Sequence, residues 1–331
     1  MCTKLPIGLR RRTAAFCVAR AVARGNLMIL VSWVLRSTSV SKPPLCPALT
    51  TVSPSQSPRR VLRATMAGRS RGAMLTDFGG GKGAVRARID GRGVVEADVL
   101  VAADGAQSLT RRHFLPDLSS TYAGYVAWPG TLDETDAPPD LVRFFDDAFT
   151  FCEARSAGHI LVYFIPGDGG DTTPGRRRLN WVWYVGVNEA DLPRILVDRD
   201  GRQHHASLPF GSTPDSAVRD LRDLARREVH PMLAALVAAT RQPFLQTIVD
   251  VAPMRTVFAR VCLLGDAAFV VRPHTAGATA KAARDAVTLA RALKRAERNV
   301  DAGLSSFEEM QIEFGRGLVD YGVALGRRWA A

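Results

Sequence analysis

The pattern of apolar and polar positions changes character once, near Met74. Ahead of that point no run keeps a helix or strand period. The single apolar stretch there, residues 27–35, is too short to span a bilayer. Beyond it the pattern is that of a folded α/β protein. Residues 84–89 alternate with Val85, Ala87 and Ile89 on one side, and residues 91–93 mark a turn before Val94. Residues 99–102 are apolar throughout, as in a strand covered on both faces, and a helix is predicted over 108–114. Residues 160–165 and 181–187 predict strands of an antiparallel sheet. Residues 214–225 predict a helix with Thr213 as N-cap and Val218, Leu221, Leu224 and Ala225 inward. Pro231 opens a short helix, residues 261–264 form a second buried strand, and long helices are predicted over 277–298 and 305–328. No internal repeat is present, and 331 residues suffice for one large domain or two ordinary ones.

Charge sharpens the same boundary. The net charge of +12 suggests an anionic partner until its distribution is read. No Asp or Glu precedes Asp77, and residues 1–70 hold 12 of the 44 Lys and Arg, so the other 32 are balanced by 32 acidic residues. The basicity belongs to an Arg-, Ser- and Pro-rich leader, so a nucleic-acid-binding body is not supported, and a nucleic-acid or membrane-surface reading would rest on residues 1–70 alone. The composition of this leader resists packing, and it is expected to be poorly ordered. It reads as a transit peptide, as a secretory signal, or as a misassigned start or frame change, the last ranking first. Cys2, Cys17, Cys46, Cys152 and Cys262 are odd in number and widely spaced, which reads as reduced thiols in a cytoplasmic protein with no membrane partner. No metal site is expected: the adjacent His204 and His205 point apart on a strand. His113, His159 and His230 read as ordinary surface or core histidines.

Two stretches carry chemistry. In the first, the apolar run 99–103 ends in Asp104-Gly105 and turns into a helix, and ligands of open α/β sheets bind beyond such strand ends. Gly105 lets the backbone turn tightly there. Alone this is a common connector. The second is more specific: residues 261–264 deliver Gly265-Asp266-Ala267-Ala268, then Arg272-Pro273-His274, then a helix opening at Gly277. Asp266 is placed to accept hydrogen bonds from ligand hydroxyls, and the free N–H groups of the helix start favour negative charge.

This pair of motifs resembles the Asp-Gly and Gly-Asp motifs of class A FAD-dependent aromatic monooxygenases, the para-hydroxybenzoate hydroxylase superfamily. Tyr122-Ala123-Gly124-Tyr125-Val126-Ala127-Trp128, Tyr163-Phe164-Ile165-Pro166-Gly167 and Asn180-Trp181-Val182-Trp183-Tyr184 are most similar to the 2,6-dihydroxypyridine 3-monooxygenase branch. The likeness covers about residues 75–325. It implies an α/β fold in which an incomplete FAD-binding, Rossmann-like domain (73–120 and 251–331) carries an inserted, mostly antiparallel substrate-binding sheet (121–250), after a leader (1–72). It implies that Asp266 holds the ribityl chain of FAD with Gly265 behind it, and that Arg272 belongs to the flavin loop. Pro273 would lie against the isoalloxazine ring. N–H groups near Gly277 and Ala278 would face the pyrimidine end, and Asp104 and Gly105 would sit near the pyrophosphate and the NAD(P)H path. The activity implied is hydroxylation of a small aromatic or N-heteroaromatic ring with NAD(P)H and O2 through a flavin hydroperoxide, the protein positioning the substrate. Tyr163, Tyr184 and His274 are the candidates to contact a ring hydroxyl, with sheet packing or loop shaping as the alternative for each. A homodimer is compatible with this reading.

The departure from the family is equally plain. Members begin with a strand and G-x-G-x-x-G for the FAD pyrophosphate, and the sequence holds no such motif. Residues 79–84, reading GGGKGA, precede an alternating strand and are expected to be a hairpin turn; no Ser or Thr follows Lys82, so they are not a Walker A loop. A truncated enzyme is therefore expected, with a non-catalytic remnant that binds no FAD as the alternative.

Overall fold

A computed structural model of the chain describes residues 2–6, 27–31, 75–81, 83–89 and 93–327, leaving out 147, 157 and 298. Three sheets organise it. The largest has six antiparallel strands in the order β1 (Cys2–Pro6), β8 (Ala148–Glu153), β9 (His159–Ile165), β10 (Arg178–Gly186), β7 (Thr121–Asp133) and β11 (Gln246–Asp250). The period-2 pattern of β10 separates its two faces. Leu179, Trp181 and Trp183 are buried with Ile160 and Val162 of β9 against α2 (Pro139–Phe145), α4 (Asp215–Glu228) and α5 (Pro231–Ala239). The Trp181 indole N–H is satisfied there by Thr240 Oγ1 at 2.9 Å. The opposite face carries Tyr125, Ala127, Tyr184 and Ile248.

The second sheet has four strands in the order β12 (Val257–Phe258), β13 (Val261–Leu263), β6 (Val99–Ala103) and β2 (Leu27–Val31). β6 is parallel to both of its neighbours, and all but its last residue are buried. Two long helices, α6 (Ala278–Arg295) and α7 (Val300–Gly326), pack on it through Leu289, Ala292, Leu304 and Phe307. The third sheet is an antiparallel meander of β3 (Leu75–Gly81), β4 (Ala84–Ile89) and β5 (Gly93–Ala97), whose Val85, Ala87 and Ala97 meet Leu100 and Val261. The glycine run is thus a hairpin: Gly81 pairs with Ala84, and Gly83 turns the chain at φ 109°.

Several expectations change. Two short segments of the leader are described, β1 pairing with β8 and β2 with β6, each at the edge of its sheet. Cys152 is disulfide-bonded, which corrects the expectation of reduced thiols throughout, whereas Cys262 is a free, buried thiol. Thr213 is not the cap of α4. Pro214 takes that position, and the Thr213 hydroxyl donates to the Pro243 carbonyl at 2.9 Å. The last helix begins at Val300, ahead of the expected start, because Asn299 caps it by accepting from the Ala302 N–H. Among the described residues no helix is long and apolar enough to cross a membrane.

Candidate functional site

The parallel strands β6 and β13 lie side by side and both release an aspartate at the same end of their sheet. After β6, Gly105 takes φ 80° and α1 (Leu109–Phe114) begins. Asp104 is consumed by that helix start. Its Oδ1 accepts from Ser108 Oγ at 2.6 Å, and its Oδ2 accepts from the Thr110 N–H at 3.0 Å and Thr110 Oγ1 at 3.1 Å. Ser108 Oγ in turn caps the helix by accepting from the Arg111 N–H at 2.9 Å.

Arg111, to which the sequence reading gave no role, joins the two turns. Its buried guanidinium donates from Nη1 to the carbonyls of Asp266 and Ala267 at 3.0 and 2.9 Å and from Nη2 to the Ala106 carbonyl. Burial lowers its pKa, against the opposing pull of Asp104 and Asp266. The only local signal for it is an arginine three residues after a helix-capping serine.

After β13, Gly265 takes φ 63° in a short 3-10 turn. That left-handed conformation is accessible to glycine and strains other residues. Asp266 is half-buried, and its carboxylate accepts no hydrogen bond from the described residues. Desolvation raises its pKa above the ordinary carboxylate value, moderated by the positive charges of Lys281 and Arg111. Residues Pro273–Thr275 form a second 3-10 turn, and α6 starts behind it with no side-chain cap. The Gly277 N–H is spent on Thr275 Oγ1 at 3.1 Å. The N–H groups of Ala278, Thr279 and Ala280 meet no acceptor among the described residues, which leaves the positive end of an 18-residue helix open beside Pro273.

The Pro273–Thr275 turn is what meets the antiparallel sheet. His274 Nε2 lies 3.1 Å from the Gly322 carbonyl of α7, and its Nδ1 lies 3.2 Å from Tyr125 Oη. A carbonyl only accepts, so Nε2 carries the proton. Burial lowers the imidazole pKa, so the ring is neutral and Nδ1 accepts from the Tyr125 hydroxyl. Tyr125 is wholly buried, and burial pushes its pKa up to about 12. Arg272, expected in the flavin loop, gives its guanidinium to Asp250 in three hydrogen bonds of 2.7–3.1 Å. Gly326 permits this arrangement, since a Cβ there would overlap Arg272 Nη1.

Around this contact the sheet face is aromatic. The Tyr184 ring is 6.5 Å from His274, 6.0 Å from Tyr125 and 4.7 Å from His159. His159 is wholly buried, and desolvation together with the nearby His274 pushes its pKa down to about 4. Thus His274 and Tyr184 come together, joined by Tyr125 and His159, which the sequence reading did not single out. The Tyr122–Trp128 stretch that resembles the monooxygenase branch contains Tyr125, and that was the available signal for it. Tyr163 lies farther along β9, stacked on Phe149 at 5.4 Å. Of the other histidines, His204 pairs with Asp198 at 2.8 Å and His230 caps α5.

Comparison with known proteins gives this geometry a context. A family model described as FAD binding domain-like matches residues 122–250. The chain is 34% identical over 221 residues to 2,6-dihydroxypyridine 3-monooxygenase of Paenarthrobacter nicotinovorans, covering 66% of this chain and 54% of that protein. It is 28% identical over 207 residues to 6-hydroxynicotinate 3-monooxygenase of Bordetella bronchiseptica, covering 60% and 44%. The solved structure of 2,6-dihydroxypyridine-3-hydroxylase from Arthrobacter nicotinovorans superposes with a TM-score of 0.69 at 30% identity, over 78% of this chain and 64% of that one. The chain therefore spans about half the length of the curated relatives it matches. Over these residues the chain is similar to 2,6-dihydroxypyridine 3-monooxygenase, and residues 122–250 match the FAD binding domain-like family model.

Proposed function

We propose that this chain carries the ribityl, ring and substrate side of a FAD- and NAD(P)H-dependent monooxygenase that hydroxylates a small aromatic or N-heteroaromatic ring, of the dihydroxypyridine kind, with O2. The observation that carries the reading is the half-buried Asp266 carboxylate, without a donor among the described residues, beside the uncapped start of α6. A desolvated carboxylate next to open N–H groups suits a ligand with hydroxyls at one end and an electron-rich ring at the other.

In this reading Asp266 accepts from the ribityl hydroxyls, with Gly265 allowing close approach. Pro273 lies against the ring, and the N–H of Ala278 serves its negative end. Gly277 acts by shaping the turn, since its own N–H is engaged. Asp104 and Gly105 serve the phosphate side through their backbone, because the Asp104 carboxylate is used within α1. Arg272 shapes the loop from its pair with Asp250. Bound FAD supplies electron uptake from NAD(P)H and activation of O2.

The chain's own residues then position the substrate. In this reading the planar substrate ring would lie between the flavin loop and the aromatic face of Tyr184 and Tyr125. A ring hydroxyl donating to Tyr125 Oη would meet a hydrogen-bonded pair in which Tyr125 passes its own proton to His274 Nδ1 as it takes the ring's, while Tyr184 would only pack against the ring. Tyr163 forms a more distant wall with Phe149.

The test is to purify the full chain, supply FAD, desalt, and record the flavin spectrum. NAD(P)H oxidation is then followed with 2,6-dihydroxypyridine and 6-hydroxynicotinate. Weak uptake of flavin, without stoichiometric retention or substrate-stimulated oxidation, is expected of this chain, because its sequence holds no G-x-G-x-x-G for the FAD pyrophosphate. The absence of any strand followed by G-x-G-x-x-G in the sequence favours a second reading, a chain that binds no FAD alone. No uptake of FAD at all selects it, and stoichiometric FAD with substrate-stimulated turnover would mean that another segment replaces the phosphate loop.

A further inference from the structure

Beneath the Gly265–Asp266 turn lies a group of buried polar side chains that the reading above leaves unused. Lys281 is 1% exposed, Asp285 3% and Gln311 3%. Lys281 and Asp285 are one turn apart on α6, and Gln311 reaches in from α7. Lys281 Nζ donates to the Gly265 carbonyl at 2.7 Å and to Asp285 Oδ2 at 3.2 Å. Asp285 Oδ2 also accepts from the Gly265 N–H at 3.1 Å and from Gln311 Nε2 at 3.2 Å, and Gln311 Nε2 donates to the Leu263 carbonyl at 3.1 Å. Both polar atoms of the Gly265 backbone are therefore held by charged side chains.

Such an arrangement is costly to build. Ion pairs this deeply buried lose their hydration, and apolar side chains of similar volume often serve stability as well or better. Stability alone does not account for a lysine here, on a helix whose other buried positions, Asp285 apart, are the apolar Leu289 and Ala292. The contacts suggest a different reason, since they converge on one residue. Gly265 is the left-handed hinge of the turn, and its conformation decides where the next side chain points. Arg111 completes the hold from the other side through the carbonyls of Asp266 and Ala267. Two buried cations flank the turn, with Asp285 matching one charge and the Asp266 carboxylate standing near both.

We infer that Lys281, Asp285 and Gln311 form a buried clamp that locks the Gly265 turn and presents the Asp266 carboxylate to its ligand, with Lys281 as the positioning residue. The ligand is the flavin assigned above, so that part rests on the proposed function, whereas the locking of the turn does not.

The test compares the wild-type chain with the double variant Lys281→Met/Asp285→Leu, which removes both charges together. Thermal unfolding, amide hydrogen exchange of the peptide spanning residues 262–270, and FAD titration are measured on each. The expected result is little change in the unfolding temperature, with exchange in that peptide faster by roughly tenfold, the equivalent of about one lost hydrogen bond. FAD affinity should fall by a similar factor, roughly tenfold. Unchanged exchange at the turn, or equal FAD affinity in the variant and a flavin-binding wild type, overturns the clamp. If the wild type takes no FAD, the proposed function is what fails, and the exchange result alone decides whether the turn is locked. Should the double variant not fold, Gln311→Met is measured in the same way. It keeps the ion pair and deletes the α7 contacts, and faster exchange in the same peptide is again the expected outcome.

Discussion

Asp104 follows β6 and Asp266 follows the neighbouring β13, so two aspartates leave the same end of one sheet. Their settings differ in every other respect. The Asp104 carboxylate is saturated by Ser108 and Thr110 and works as part of a helix cap. The Asp266 carboxylate is half-buried without a donor among the described residues, while the backbone behind it is held by Arg111, Lys281 and Asp285. One aspartate stabilises the fold locally, and the other keeps a desolvated carboxylate that, in the proposed reading, meets the ligand. A strand ending in aspartate is thus no guide to function until the destination of its oxygen atoms is known.

The most disruptive way to break this contrast is to remove the group that ties both turns. Arg111→Met strands one buried and two part-buried carbonyls, and at about 1–3 kcal/mol for each the loss should reach roughly 4 kcal/mol in urea unfolding. A loss under about 1 kcal/mol would mean that the guanidinium bridges nothing that matters. The next pair of variants separates the aspartates. Asp266→Ala should weaken FAD binding by about 2 kcal/mol or more with no loss of thermal stability, since only ligand hydrogen bonds to a charged acceptor disappear. Asp104→Ala should do the reverse, costing about 1–2 kcal/mol of stability through the lost cap. Identical profiles for the two variants would erase the distinction.

A third measurement exploits acidity. The folded Asp266 carboxyl has a raised pKa, so the native state holds this proton more tightly than the unfolded chain does. Its contribution to stability is present below the unfolded value, near pH 4, and is lost as pH rises through the folded one. Asp266→Asn should therefore gain on wild type in melting temperature as pH is raised from about 4 to 7. A constant difference across that range would contradict a desolvated carboxylate. The smallest effect is expected away from both turns. Tyr125→Phe deletes one hydrogen bond to His274 and should cost about 1 kcal/mol while leaving both aspartates unaltered.

How much of this was legible in the sequence depends on the range of the interaction. The apolar run of β6, the alternation of β10 and the Gly265-Asp266 stretch all announce themselves within a few residues, because strand burial has a period and a turn has a composition. The clamps do not. Arg111 bonds to residues 155 and 156 positions away, and Gln311 reaches 48 back to Leu263. No local pattern encodes such pairings. His159 read as an ordinary histidine because its neighbours Tyr184 and His274 arrive from other elements. Thr213 misled for the opposite reason: a good local cap residue was claimed by a distant carbonyl at Pro243.

The Arg111 guanidinium also has a thermodynamic consequence. It donates to Ala106 in one turn and to Asp266 and Ala267 in the other, so neither backbone can shift without changing the energy of its neighbour. A ligand that shifted one turn on binding would alter affinity at the other, and that exchange would be reciprocal: whatever factor the first ligand imposed on the second, the second would return in full. A compound bound near Gly105 and one bound near Asp266 would report each other's presence through a single side chain. Titrating either in the presence of the other would expose that exchange as a matched pair of shifts, which Arg111→Met should abolish.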